Sequence, residues 1–350
     1  MDNIVNPTIR FPNFYVDGFG GGATYVEHGL GSASTITASV EYPAGTYTQI
    51  KFSGSSSGSI PNLSYLDGSC TISIPQGSKF YVRYFVNNAS GVVFCLGLGG
   101  TSNVPGNYAY GDVLDAAVSG LTDNTMGGAY TATSGTSRYS PIIIAATTTK
   151  ASFLVVGDSK CYGEQDTGDA SGSIGEVERW LSPYFANAKW GIRGRDASQF
   201  LASCTLQTSM NQFFTHLINE DGVNGFIHGR TATQVATDTD ALGNSFPTLK
   251  KYFVTILPAA TTTDNYATLA NQTVPTWEAG RVTENTRRRG VPAPWLGCFD
   301  SSAAVESALN SGKIPAGSGY FSNLSSVHPQ QAGYLRIATV NSPAASLLTR

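Results

Sequence analysis

The sequence predicts a chain in two parts: an all-β sandwich or jelly roll over residues 1–147, then a three-layer α/β/α domain over residues 151–350. Two observations predict it. Short β-branched and aromatic runs separated by Gly, Ser, Pro and Asn clusters fill the first part, the grammar of all-β modules. At Thr147–Lys150 the pattern changes to apolar runs alternating with helical segments, the grammar of a parallel sheet covered on both faces.

In the first part, strands are expected at Thr35–Val40, Tyr47–Phe52, Cys70–Ile74, Phe80–Val86 and Val92–Leu98, with turns at Tyr42–Gly45, Ser53–Gly58 and Pro75–Gly77. Gly18–Gly22 reads as a loop, because no Lys-Ser/Thr follows to complete a phosphate cradle. In the second part, Ala151–Val156 is a continuous apolar run, as a strand buried on both faces requires. A helix over Ser173–Phe185, a strand at Asn187–Ile192 and a helix over Leu206–Asn219 follow. Strands at Val223–His228, Tyr252–Leu257 and Pro294–Phe299 complete the pattern. Sites in such sheets lie at the carboxyl ends of strands.

Hydrophobic residues make up 41% of the 350 residues, enough for a core in each part, whereas charged residues are only 13%. Ser, Thr, Asn and Gly must therefore supply the surface, a composition that points to action outside the cell or on a virion. With a net charge of −3 and no basic block longer than Arg287–Arg289, nucleic acid is not an expected partner. No apolar stretch approaches the roughly 20 residues of a membrane span, and Met1–Arg10 does not read as a secretory leader. The cysteines, Cys70, Cys95, Cys161, Cys204 and Cys298, show no CxxC spacing, so no metal or redox motif is read.

The first strand of the second part ends in Gly157-Asp158-Ser159, which puts a serine hydroxyl at a turn on the carboxyl edge of the sheet. Near the C-terminus stands Val327-His328-Pro329-Gln330-Gln331-Ala332-Gly333-Tyr334. Together these blocks resemble the SGNH (GDSL-type) serine hydrolases, whose flavodoxin-like domain matches residues 151 to about 345. The resemblance implies Ser159 as nucleophile and oxyanion donor, His328 as base, and Gly194 of Gly191–Asp196 as a second donor. His228-Gly229-Arg230-Thr231 occupies the place of the family's Gly-x-Asn-Asp, so Thr231 stands where the third donor, an Asn, is expected.

The chain departs from the family again three residues before the histidine, where Ser325 replaces the usual acid. A serine orients an imidazole without stabilising its charged form as a carboxylate does. Either Ser159 and His328 work as a dyad, with Asp300 as the nearest substitute acid, or the site is degenerate and the domain only binds. Lys160, next to the nucleophile, reads as a rim or solvent-exposed cation. Lys160, Arg193 and Arg230, with Arg195, either steer an anionic substrate such as an acidic sugar or pair with Asp158, Asp196 or Glu164. Arg287–Arg289 read as a solvated helix end, and His28, His216 and His228 as structural or surface histidines, with His228, at the expected end of the third strand, facing the cleft. Tyr15, Tyr47, Tyr81 and Tyr84 either stack on sugar rings or pack in strands.

The resemblance implies ester hydrolysis through an acyl-enzyme, without metal or cofactor, on a small ester or an acylated carbohydrate, O-acetyl above all. An acyltransferase or lipase on the same fold is one alternative. A weakened, esterase-like carbohydrate-binding or virion structural protein is the other.

Overall fold

The protein is described from a computed structural model, over residues 2–16, 24–90, 120–130, 141–169 and 172–349. The chain falls into two compact units, Met1–Asp17 with Val26–Lys150, and Gly18–Tyr25 with Ala151–Arg350.

The first unit is built of antiparallel strands among its described residues. Ser34–Glu41 pairs with Tyr81–Asn88 on one side and with Tyr47–Gln49 and Ser57–Ile60 on the other. Thr8–Pro12 lies between Tyr65–Ser69 and Ile143–Ala145 in a second sheet. Along Ser34–Glu41, Ile36, Ala38 and Val40 are buried while Thr35 and Thr37 are not. That period of two is what a strand with one covered face requires. Ile36, Ala38 and Val40 meet Ile9 and Phe11 of the second sheet in one core, with Ile50, Phe52 and Ile60. Gly45 takes a left-handed conformation (φ 79°) in the turn after Tyr42. The strand expected at Val92–Leu98 and the loop at Gly18–Gly22 lie outside the described residues.

The second unit is a doubly wound α/β domain. Its five-stranded parallel sheet runs, in space, Ala186–Gly191, Ser152–Gly157, His216–Asn219, Lys250–Val254, Gly297–Phe299. In chain order that is 2-1-3-4-5, which places the topological switch point beside the first strand. Phe153 and Val155 face a core with Trp180, Leu181, Ile218, Val254, Phe299 and Ile337. The last helix, Gln331–Ala345, contributes Ile337 and Ala345 to it.

Three elements of this unit differ in kind or extent from the expectation. The helix expected over Ser173–Phe185 shrinks to Glu178–Leu181, because Gly175 is left-handed (φ 92°) and its N–H is held by Asp166 at 2.9 Å. The expected helix Leu206–Asn219 breaks into Thr205–Thr208 and a 3₁₀ turn, and its end becomes the third sheet strand, His216–Asn219. With that sheet position filled, Val223–Ile227 is a helix rather than a strand. Val223 and Phe226, three residues apart, share one face and pack on Val235 and Ile256.

Candidate active site

Ser159 opens a one-turn helix, Ser159–Tyr162, directly after the first strand. Asp158 caps that turn, its carboxylate accepting the Lys160 N–H at 2.9 Å. The strand ends in glycine for a steric reason: a Cβ on Gly157 would lie 2.1 Å from the Glu220 carboxylate. That carboxylate accepts the Asp158 N–H at 3.0 Å, tying the serine turn to the residue that follows the third strand.

Lys160 is neither on the rim nor in solvent. It is 2% exposed, with its ammonium 2.6 Å from Asp158 and 2.9 Å from Glu220. Burial opposes its charge, but the two carboxylates outweigh burial and raise its pKa. Beside them the Glu176 carboxyl, also buried, is pushed well above the usual range by desolvation and then by Glu220. Ser159 therefore rests on a buried charged cluster that holds its turn in place.

His328 reaches Ser159 from the loop before the last helix, which starts at Gln331, so Pro329 precedes that helix rather than lying in its first turn. His328 Nε2 lies 2.7 Å from Ser159 Oγ, and Nδ1 lies 2.8 Å from Ser325 Oγ. Ser325 Oγ also accepts the backbone N–H groups of Val327 and His328, each at 3.3 Å, which ties the hydroxyl to its own loop. Tyr334, on the last helix, donates to the Glu164 carbonyl at 2.8 Å. Burial, and after it the Lys160 ammonium, pushes the imidazole pKa down to about 4. At neutral pH the ring is thus uncharged, with a lone pair for one hydroxyl and an N–H for the other.

Gly194 sits in the loop after the second strand in a left-handed conformation (φ 80°), which a glycine adopts without strain. The next residue, Arg195, is fully buried and donates to the Trp190 carbonyl at 2.9 Å and to Gln207 at 3.1 Å. It is a strut of this loop, not a substrate contact.

Thr231 does not occupy the end of the third strand. It is the exposed N-cap of helix Ala232–Asn244, in a capping box with Gln234. The third strand ends at Asn219, and the residues after it run Glu220-Asp221-Gly222-Val223-Asn224. Gly222-Val223-Asn224 has the Gly-x-Asn spacing expected of the third block. The side-chain amide of Asn224, 8% exposed, donates to the Arg195 carbonyl at 3.0 Å and so lies against the Gly194 loop. Asn224 is the functional candidate the sequence reading passed over. The Gly-x-Asn spacing was the signal, hidden because the strand before it was read as a helix end.

No family model matches the chain, and no curated protein matches it. Solved structures do. A GDSL-like lipase from Bacteroides thetaiotaomicron is 13% identical with a TM-score of 0.41, over 56% of this chain and 87% of its own. A member of the lipolytic protein G-D-S-L family from Veillonella parvula is 13% identical with a TM-score of 0.41, over 56% and 99%. A carbohydrate acetylesterase family member from Sinorhizobium meliloti is 16% identical with a TM-score of 0.34, over 57% and 100%.

The remaining expected site residues are placed elsewhere. Asp300 is not an acid for His328: its carboxylate binds Arg289 through two bonds of 2.8 Å, accepts from Thr255 at 2.9 Å and caps the helix it precedes. Arg193 pairs with Glu164 at 2.6 Å and Arg230 with Asp238 at 2.5 Å, so both cations are engaged by carboxylates. The Arg287–Arg289 block is not a solvated end. Arg288 is fully buried and donates to the Val254 and Asp221 carbonyls at 2.7 Å, while Arg287 and Arg289 pair with Glu284 and Asp300. His216 is buried between Phe153 and Tyr252, whereas His228 pairs with Asp196 at 2.7 Å. Among the described residues no group of three or more His, Cys, Asp and Glu could hold a metal, and no helix is long and apolar enough to cross a membrane.

Proposed function

We propose that the second unit is an SGNH-type serine esterase that releases acyl groups, acetyl above all, from a carbohydrate. The observation that carries the esterase reading is the 2.7 Å approach of His328 Nε2 to Ser159 Oγ at the carboxyl edge of the sheet. In the reaction His328 takes the Ser159 proton as Oγ attacks the ester carbonyl. The N–H groups of Ser159 and Gly194, with the Asn224 amide, hold the negative charge on the tetrahedral oxygen. His328 then protonates the departing alcohol, and a water activated by the same nitrogen cleaves the acyl-enzyme to acid and free Ser159. The carbohydrate substrate rests on the family resemblance of the Gly157–Ser159 and His328 blocks together with the separate all-β unit, read as an accessory module.

Hydrolysis of p-nitrophenyl acetate tests the reading. Ser159→Ala should lower kcat/KM by on the order of 10³-fold or more while the fold is retained. One observation favours a second reading, a binding protein with a weakened site: the imidazole Nδ1 faces a hydroxyl instead of a carboxylate. A wild-type protein that binds acetylated sugars but hydrolyses neither them nor p-nitrophenyl acetate would establish that reading.

A further inference from the structure

We propose that His228, held in place by Asp196, is a substrate-positioning residue beside the Ser159 site that hydrogen-bonds to a hydroxyl of a polyhydroxylated substrate; the proposal rests on the esterase reading above.

The placement follows from the sheet order. The second and third strands flank the first, so the loops that leave their carboxyl ends stand on either side of Ser159. The second strand's loop carries Gly194-Arg195-Asp196, and the third strand's carries the helix Val223–Ile227, capped at its end by His228. The two loops are tied at two points: Asn224 to the Arg195 carbonyl at 3.0 Å, and His228 Nδ1 to Asp196 at 2.7 Å. Asn224 and His228 are joined by an i to i+4 backbone bond of 2.8 Å. Residues so spaced share a helix face and stand about 5–6 Å apart. His228 is therefore one turn from the candidate oxyanion amide of Asn224.

The chemistry follows from the pair. Asp196 is nearly buried; burial works against its charge, but His228, Ser198 and the Gln199 N–H outweigh it and hold the carboxyl below its usual range. The Asp196 carboxylate takes Nδ1, leaving Nε2 on the opposite edge of the ring. The His228 side chain is 37% exposed, against 5% for Asp196, so the ring forms the accessible end of the pair. Asp196 already caps the helix Ala197–Ser203 through Gln199 and Ser198, so the cap does not depend on the imidazole. What the pairing adds is a hydrogen-bonding nitrogen with a fixed direction, which selects for ligands bearing O–H groups.

The experiment compares a mono-O-acetylated hexose, which carries free hydroxyls, with p-nitrophenyl acetate, which carries none. His228→Phe should raise KM for the sugar about 5- to 10-fold, the loss of one hydrogen bond, with kcat little changed. Both constants for p-nitrophenyl acetate should stay as in the wild type. His228→Gln, whose amide can hydrogen-bond the same hydroxyl as donor or acceptor, should recover most of the sugar KM. Equal sugar KM values in wild type and His228→Phe would overturn the proposal. So would a parallel loss on both substrates that glutamine does not repair, which marks a structural role. A wild type inert toward both substrates sinks the esterase reading itself, which separates the two failures.

Discussion

His328 lies between two hydroxyls, Ser159 at Nε2 and Ser325 at Nδ1, and in the proposed reaction its far partner decides how good a base it is. Ser325 accepts two backbone N–H groups as well as facing Nδ1, so it orients the ring without contributing charge. Because burial holds the imidazole pKa near 4, the lone pair on Nε2 is present from weakly acidic pH upward. The acid limb of kcat/KM should accordingly lie near pH 4. Ser325→Asp places an anion at Nδ1, which favours imidazolium and raises that pKa. It also stabilises the charge that develops as Ser159 loses its proton. The variant should therefore turn over faster at neutral pH, with its acid limb displaced upward by roughly one pH unit or more. A profile identical to wild type in rate and position would show that the two side chains are not coupled in solution.

At the scale of the element, the parts read correctly from sequence are those whose burial leaves a simple pattern. Ser152–Gly157 is covered on both faces and reads as an apolar run, which brought Ser159 to the right edge of the sheet. The third strand hides for a physical reason. It is four fully buried residues, His216-Leu217-Ile218-Asn219, bounded by two polar ones. The imidazole is buried by stacking between Phe153 and Tyr252, and that partnership is invisible in a linear pattern. Missing this strand moved the expected third block to Thr231, past the Gly222-Val223-Asn224 run that follows the strand. The two residues make opposite predictions. Asn224→Ala should cost about 10²- to 10³-fold in kcat, as removal of an oxyanion donor does, with modest loss of stability. Thr231→Ala should cost about 1 kcal/mol of stability through its lost helix cap and leave kcat unchanged. Kinetics and thermal unfolding of the two variants decide between the positions.

Across the whole α/β unit, charge lies unusually deep for a chain with so few charged residues. Lys160, Arg195, Arg281 and Arg288 are all at most 2% exposed, each held by carboxylates or main-chain carbonyls. The cations are spent as struts of the sheet edge, which is why reading them as surface groups failed. Asp221, just beyond the third strand, is the contrasting case. It is fully buried, its carboxyl oxygens make no hydrogen bond among the described residues, and burial pushes its pKa up to about 8, with Asp158 and Glu220 adding to the rise against Arg195. An acid raised in the folded state holds a proton that the unfolded chain has released. Between its ordinary value, near 3.9, and about 8, the folded protein thus binds more protons than the unfolded one. Stability from this group is then greatest at the acid end of that window and falls as pH rises through it. Asp221→Asn removes the titration while keeping the shape. The variant should match wild type in Tm near pH 4 and exceed it by a margin that widens to several degrees by pH 8. Depressed carboxylates such as Asp196 and Asp300 titrate equally in both proteins, so the difference between the two melting curves isolates Asp221. A constant difference across the window would mean that the carboxyl is solvated and ionised in the folded state.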